Sequence, residues 1–139
     1  MPLQIINSFA TWILKKRIHQ MELFLKYPHE VQEELLFNLI KASENTQLGK
    51  KYDFSSMKSY TSFSERIPVS TYEELEPLIE KTRQGEQNVF WHSNIKWFAK
   101  SSGTTNAKSK FIPVSSEALE NCHYKASKDL LCLYLNNNE

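Results

Sequence analysis

A chain of 139 residues, 40% hydrophobic and 24% charged with only 3 Gly and 5 Pro, has the composition of one packed globular domain, not of a disordered or fibrous chain. Its 17 basic and 16 acidic side chains leave a formal charge of +1, which excludes a global field for nucleic acid or an anionic membrane. Any anion site must therefore be local.

The chain opens with apolar residues at helical spacing over 3–27. Residues 3–14 lack the basic leading region and cleavage site of a signal peptide and are too short to span a bilayer. They read as an amphipathic helix with Ile5, Phe9, Trp12 and Ile13 on one face, and the natural compartment is the cytoplasm. Pro28 ends this helix and starts the next, because proline disfavours helix in the residue before it yet suits a first turn. Val31, Leu35, Leu36, Leu39 and Ile40 form the expected buried stripe of the second helix, with Gly49 as its latest end.

Residues 50–64, rich in serine and aromatics without sustained periodicity, predict a loop with one short helix. At Ser70 the spacing Ser-x-x-Glu, completed by Glu73, predicts a capping box and a helix over 71–83. Pro77 should kink or divide that helix, and Gly85 fits the left-handed position just past its end. Residues 88–100, with Val89, Phe90, Trp91, Ile95, Trp97 and Phe98, predict a strand, dense enough in apolar side chains to be buried on both faces. A second strand is expected at 111–114 and a long helix over 116–135.

Cys122 and Cys132 fall ten residues apart on that last helix, roughly 15 Å at 1.5 Å per residue, and cannot pair with each other. Reduced thiols agree with a reducing compartment. His19, His29, His92 and His123 show no metal-ligand spacing, so no structural zinc is expected.

The segment between the two strands, residues 101–110, reads Ser-Ser-Gly-Thr-Thr-Asn-Ala-Lys-Ser-Lys. Hydroxyls and turned backbone N–H groups supply donors, Gly103 permits a conformation other residues resist, and Lys108 and Lys110 supply positive charge. Such a loop can enclose phosphate. A P-loop is excluded by count, since Lys108 stands where the second glycine should be and a strand follows in place of a helix. A plain polar hairpin turn accounts for the serines and threonines but not for two lysines after a glycine. Composition alone leaves these readings open.

The run SSGTTNAKSKFIP from Ser101 resembles the first nucleotide-binding motif of the acyl-adenylating superfamily, most of all the version in the Gretchen Hagen acyl-acid amido synthetases, or auxin-responsive promoter family. The stretches ERIPVSTYEELEPLI from Glu65 and KTRQGEQNVFWHSNIKWFAK from Lys81 are similar to the same family, so the resemblance covers about half of the chain. It implies an α/β fold. Residues 1–139 would be an N-terminal piece of the adenylate-forming domain, helical over 1–87 and strand, phosphate loop, strand and helix over 88–135.

The resemblance further implies ATP and Mg2+ as cofactors, and a carboxylic acid and an amino acid as small-molecule substrates. Ser101, Ser102, Thr104 and Thr105 would cradle phosphate, Gly103 would allow close approach, and Lys110 matches the lysine that closes the motif. Ala107 stands where the family pattern often has a second glycine. Preplaced donors and a cation suit the charge that develops when a carboxylate attacks the α-phosphorus.

The acidic residues of the 71–83 helix read as a solvated face, so no metal ligand is assigned and the catalytic residues stay unknown. His123, on the helix after the loop, is the candidate substrate-pocket residue, with a surface histidine as the other reading. Trp91, Trp97 and Phe98 read as core, not as a base-stacking platform. Neither nucleic acid nor membrane is an expected partner; the C-terminal remainder of the enzyme is. The alternative is a noncatalytic interaction domain that keeps the loop as a relic anion site, and nucleotide binding separates the two. The apolar end of the last helix and a lone pair of strands predict that residues 1–139 alone neither form a well-ordered monomer nor make acyl-adenylate.

Overall fold

The computed structural model describes residues 2–102 and 109–137, with residues 2–11 described by their backbone alone. The chain is mostly helical with one small two-stranded antiparallel sheet, and it divides into two units, Met1–Gln32 with Leu119–Glu139, and Glu33–Ala118. No helix among the described residues is long and apolar enough to cross a membrane.

In the first unit, α1 (Pro2–Lys26) packs against α7 (Lys125–Asn137). Cys132 is buried on α7, whereas Leu130, Leu131, Leu133 and Leu135 are exposed. α1 ends at Lys26, two residues before Pro28, in keeping with the proline rules. The expected single helix over 116–135 is instead a short α-helical turn α6 (Ser116–Ala118), a π-helical stretch Leu119–Tyr124 and then α7. The π stretch inserts wider turns that helical spacing alone does not reveal.

The second unit is built around Ile40, Phe54 and Met57, with Leu36, Phe37, Tyr52, Phe63 and Ile67 packed against them. Ile40 lies on α2 (Pro28–Ser43), whose buried side is Leu36, Phe37 and Ile40, while Leu35 and Leu39 of the expected stripe are exposed. α2 ends at Ser43, and Gly49 sits inside a separate helix α3 (Gln47–Lys51). There a Cβ at Gly49 would stand 2.1 Å from the Ser43 carbonyl oxygen, so the glycine serves close backbone approach, not helix termination. Residues 50–64 hold a 3-10 turn, Phe54–Ser56, and the start of α4 (Tyr60–Arg66), which Ser59 and Ser62 cap reciprocally.

The first turn of α3 explains why most of 88–100 is not strand. Thr46 caps it, its Oγ1 accepting from Gly49 N at 2.9 Å, while Gln47 N and Leu48 N donate to the Asn88 and Val89 carbonyls at 2.9 and 3.1 Å. Carbonyls used to satisfy a helix N-terminus are lost to a strand ladder. Asn88 also takes φ 61, in the left-handed region. Val89 is 1% exposed and so belongs to the core without being strand. Pairing survives only in β1 (Trp97–Lys100), and the expected burial on both faces is absent there, with Trp97 50% exposed.

α5 (Tyr72–Arg83) is one continuous helix through Pro77, which forfeits a single bond near its start. Its capping box lies one residue later than Ser70 and Glu73. The Thr71 hydroxyl accepts from Glu74 N and the Glu74 carboxylate accepts from Thr71 N at 2.7 Å. At the other end Gly85 takes φ 100, with Gly85 N on the Thr82 carbonyl and Glu86 N on the Lys81 carbonyl, a Schellman motif.

Candidate functional site

The loop that carries the phosphate-binding expectation joins β1 to β2 (Phe111–Val114), paired antiparallel with Trp97 opposite Val114 and Lys100 opposite Phe111. The ladder runs one step beyond the strands. Ser101 N donates to the Lys110 carbonyl at 2.9 Å, and Lys110 N donates to Ser101 Oγ at 3.0 Å. Both ends of the loop are thereby fixed to each other, and Ser101 and Lys110 are brought together across nine positions of sequence. Because Ser101 Oγ acts there as acceptor, its own hydroxyl hydrogen stays a donor. Ser102 is exposed, and Ser109 is half-buried. Gly103, Thr104, Thr105 and Lys108 lie outside the described residues.

The N-terminal turn of α5 lies against the start of β2. Phe111 N donates to Tyr72 Oη at 2.9 Å, so this edge-strand N–H is satisfied by a side chain. The Lys110 ammonium stands 4.9 Å from the centroid of the Tyr72 ring and 3.3 Å from Glu73 Oε1. The Glu73 carboxyl is held below the usual carboxylate range, first by its own backbone N–H and then by Lys110. Phe111 in turn carries the Arg83 guanidinium 4.0 Å from its ring centroid and the Lys100 ammonium at 5.9 Å. Two of these three cations are paired with carboxylates, Lys110 with Glu73 and Arg83 with Glu80 at 2.7 Å. Sequence reading placed the acidic side chains of α5 on a solvated face and missed the partnership of Tyr72 and Glu73 with Lys110. No local motif marks it, since the partners are 37 and 38 positions away.

Further along the same unit, the Glu117 carboxylate accepts from Ser93 Oγ at 2.8 Å and lies 3.7 Å from His92 Nε2. Its carboxyl is held low, first by its own backbone N–H and also by Ser93 and Ser115. Trp91 Nε1, buried without a partner at full hydrogen-bonding geometry, adds a weaker pull on the same carboxylate. This cluster ties the turn after β2 to residues 91–93. His123 is exposed on the π-helical stretch and belongs to the other unit. Among the described residues no group of three or more His, Cys, Asp or Glu could hold a metal ion.

Residues 17–139 match the model of the GH3 family N-terminal domain. The chain belongs to the GH3 family. It is 30% identical over 106 residues to indole-3-acetic acid-amido synthetase GH3.2 of Arabidopsis thaliana, a match covering 76% of this chain and 19% of that protein. It is 29% identical over 104 residues to jasmonoyl–L-amino acid synthetase JAR4 of Nicotiana attenuata, covering 74% and 18%. Against a probable indole-3-acetic acid-amido synthetase GH3.2 of Oryza sativa subsp. japonica it is 29% identical over 91 residues, covering 65% and 15%. The GH3 chain described here therefore spans about a fifth of the length of the curated relatives it matches first.

Proposed function

We propose that this GH3 chain supplies the first phosphate-binding loop of an ATP-dependent acyl-acid amido synthetase, which adenylates a carboxylic acid and passes the acyl group to an amino acid. The observation that carries the reading is the base of the loop. Ser101 and Lys110 are bonded reciprocally at the strand ends, which sets the Ser101 hydroxyl and the Lys110 side chain next to each other at the base of one hairpin. That donor set suits a polyanion: hydroxyls for phosphate oxygens, a cation for their charge, and a short antiparallel ladder to carry them.

In this reading ATP supplies the activated phosphorus that the acid attacks. Ser101, Ser102, Thr104 and Thr105 donate to phosphate oxygens, Gly103 lets the backbone approach, and Lys110 neutralises charge that grows in the transition state. Magnesium accompanies the triphosphate, and no residue of this chain is assigned to it. His123 is proposed as lining for the acid pocket. The fold assignment that goes with this function is the N-terminal part of an adenylate-forming domain.

The test is acid-dependent ATP–pyrophosphate exchange in the full-length protein with a panel of carboxylic acids, together with direct titration by ATP. Exchange that requires acid and is lost with the loop hydroxyls supports the reading. Tight acid binding with no ATP binding would leave only a noncatalytic role.

A further inference from the structure

The Lys110 side chain is 45% exposed, yet its ammonium has two neighbours. It is bracketed by two consecutive residues of α5, the Tyr72 ring at 4.9 Å and the Glu73 carboxylate at 3.3 Å. Tyr72 is held in turn by the Phe111 N–H on its hydroxyl, one residue along the chain from Lys110. The ring is therefore fixed to the strand that carries the lysine. Glu73 differs, because its side chain is 69% exposed and its contact with Lys110 is a single ion-pair contact.

Resting on the reading of the loop as a phosphate site, we propose that Tyr72 is a positioning residue that holds the Lys110 ammonium at the mouth of the loop, and that Glu73 is an exchangeable counter-ion which phosphate displaces. The division follows from chemistry. A cation lies over an aromatic face while keeping its N–H donors free for an anion, so the Tyr72 contact is compatible with phosphate on the far side of the ammonium. A carboxylate occupies the same donors that phosphate oxygens need and repels them, so the Glu73 contact competes with phosphate. The local field supports exchange, since Lys100 lies over the Phe111 ring and stays with Lys110 when the carboxylate swings away, whereas the Arg83 guanidinium on the same ring keeps Glu80 as its own partner at 2.7 Å. An exposed carboxylate on a long side chain can make that movement by rotamer change alone.

The experiment measures ATP and inorganic triphosphate binding to the full-length protein by calorimetry, without acid substrate, in the parent and in Glu73→Gln, Tyr72→Phe, Tyr72→Leu and Lys110→Ala. Glu73→Gln should tighten triphosphate binding about two- to fivefold, the range for loss of an exposed competing ion pair, and the gain should shrink as salt is raised. Tyr72→Phe keeps the ring but loses the hydroxyl that anchors it to the Phe111 N–H, so it should weaken binding, though less than Tyr72→Leu. Tyr72→Leu should weaken binding at least as much as the Glu73 change tightens it. Thermal melting without nucleotide separates folding from positioning, because a merely structural Tyr72 lowers the melting temperature of Tyr72→Leu while the folded protein binds triphosphate like the parent. If Lys110→Ala weakens triphosphate binding while Glu73→Gln leaves it unchanged or weakens it, the counter-ion role is wrong and the loop reading stands. If Lys110→Ala binds like the parent, the loop reading itself fails and takes this inference with it.

Discussion

Arg17 and Asp129 meet across 112 positions of sequence in a bidentate pair, Nε to Oδ1 at 2.5 Å and Nη2 to Oδ2 at 2.6 Å. The pair joins α1 to α7 within one unit, and the two side chains are only 14% and 24% exposed. Each group holds the other charged. The Asp129 carboxyl is pushed below its ordinary range, first by the hydrogen bond from Arg17, and the Arg17 guanidinium is raised by the same bond.

From this pairing, Asp129→Asn should cost about 1–3 kcal/mol, because it leaves a partly buried guanidinium without its carboxylate. The sign of the pH dependence is fixed by the lowered carboxyl. Its stabilisation is present in full above the unfolded carboxylate value, at about pH 4, and is lost as pH falls through the lower folded value. Melting temperature measured against pH should therefore fall less steeply on the acid side in Asp129→Asn than in the parent.

The two described glycines separate steric crowding from backbone conformation. At Gly49 an added Cβ meets the Ser43 carbonyl oxygen at 2.1 Å and the Glu44 carbonyl oxygen at 2.8 Å, both backbone atoms that cannot rotate away. At Gly85 a Cβ meets nothing within 4 Å, and the strain comes only from φ 100. Gly85→Ala should cost about 1–2 kcal/mol, and Gly49→Ala more than that, because α3 must shift and disturb the buried Thr46 cap. Denaturant unfolding of both variants checks the order.

Much of the helical half was legible because prolines and caps act locally. Pro28 separates α1 from α2, and Gly85 ends α5, each by a rule that needs no tertiary information. Other readings failed where a distant partner decided the outcome. Ser70 with Glu73 and Thr71 with Glu74 both satisfy the capping spacing, and only the fold selects the second. Residues 88–96 carry strand-forming side chains, but their first carbonyls are committed to the N-terminus of α3. Gly49 reads as a helix end because its reason, the close approach to the carbonyl of Ser43 at the end of α2, depends on how the chain folds back after that helix. The loop itself was legible as chemistry, whereas the contact of Lys110 with Tyr72 and Glu73 depends on α5 packing against β2.

The loop hydroxyls should matter to the reaction more than to the fold. Ser102 is exposed, so Ser102→Ala combined with Thr105→Val should move the melting temperature little while lowering acid-dependent pyrophosphate exchange on the order of 10²-fold. Equal exchange in the variant and the parent would remove the hydroxyls from the phosphate site.

The central claim is that the lysine fixed at the strand end, and not its neighbour two positions earlier, reaches the nucleotide. Pyrophosphate exchange in the full-length protein, measured side by side for Lys110→Ala and Lys108→Ala, tests it most directly. The account predicts a loss on the order of 10²-fold for Lys110→Ala and a clearly smaller loss for Lys108→Ala, with both proteins melting near the parent temperature. A larger loss for Lys108→Ala, or unchanged exchange in Lys110→Ala, would contradict it.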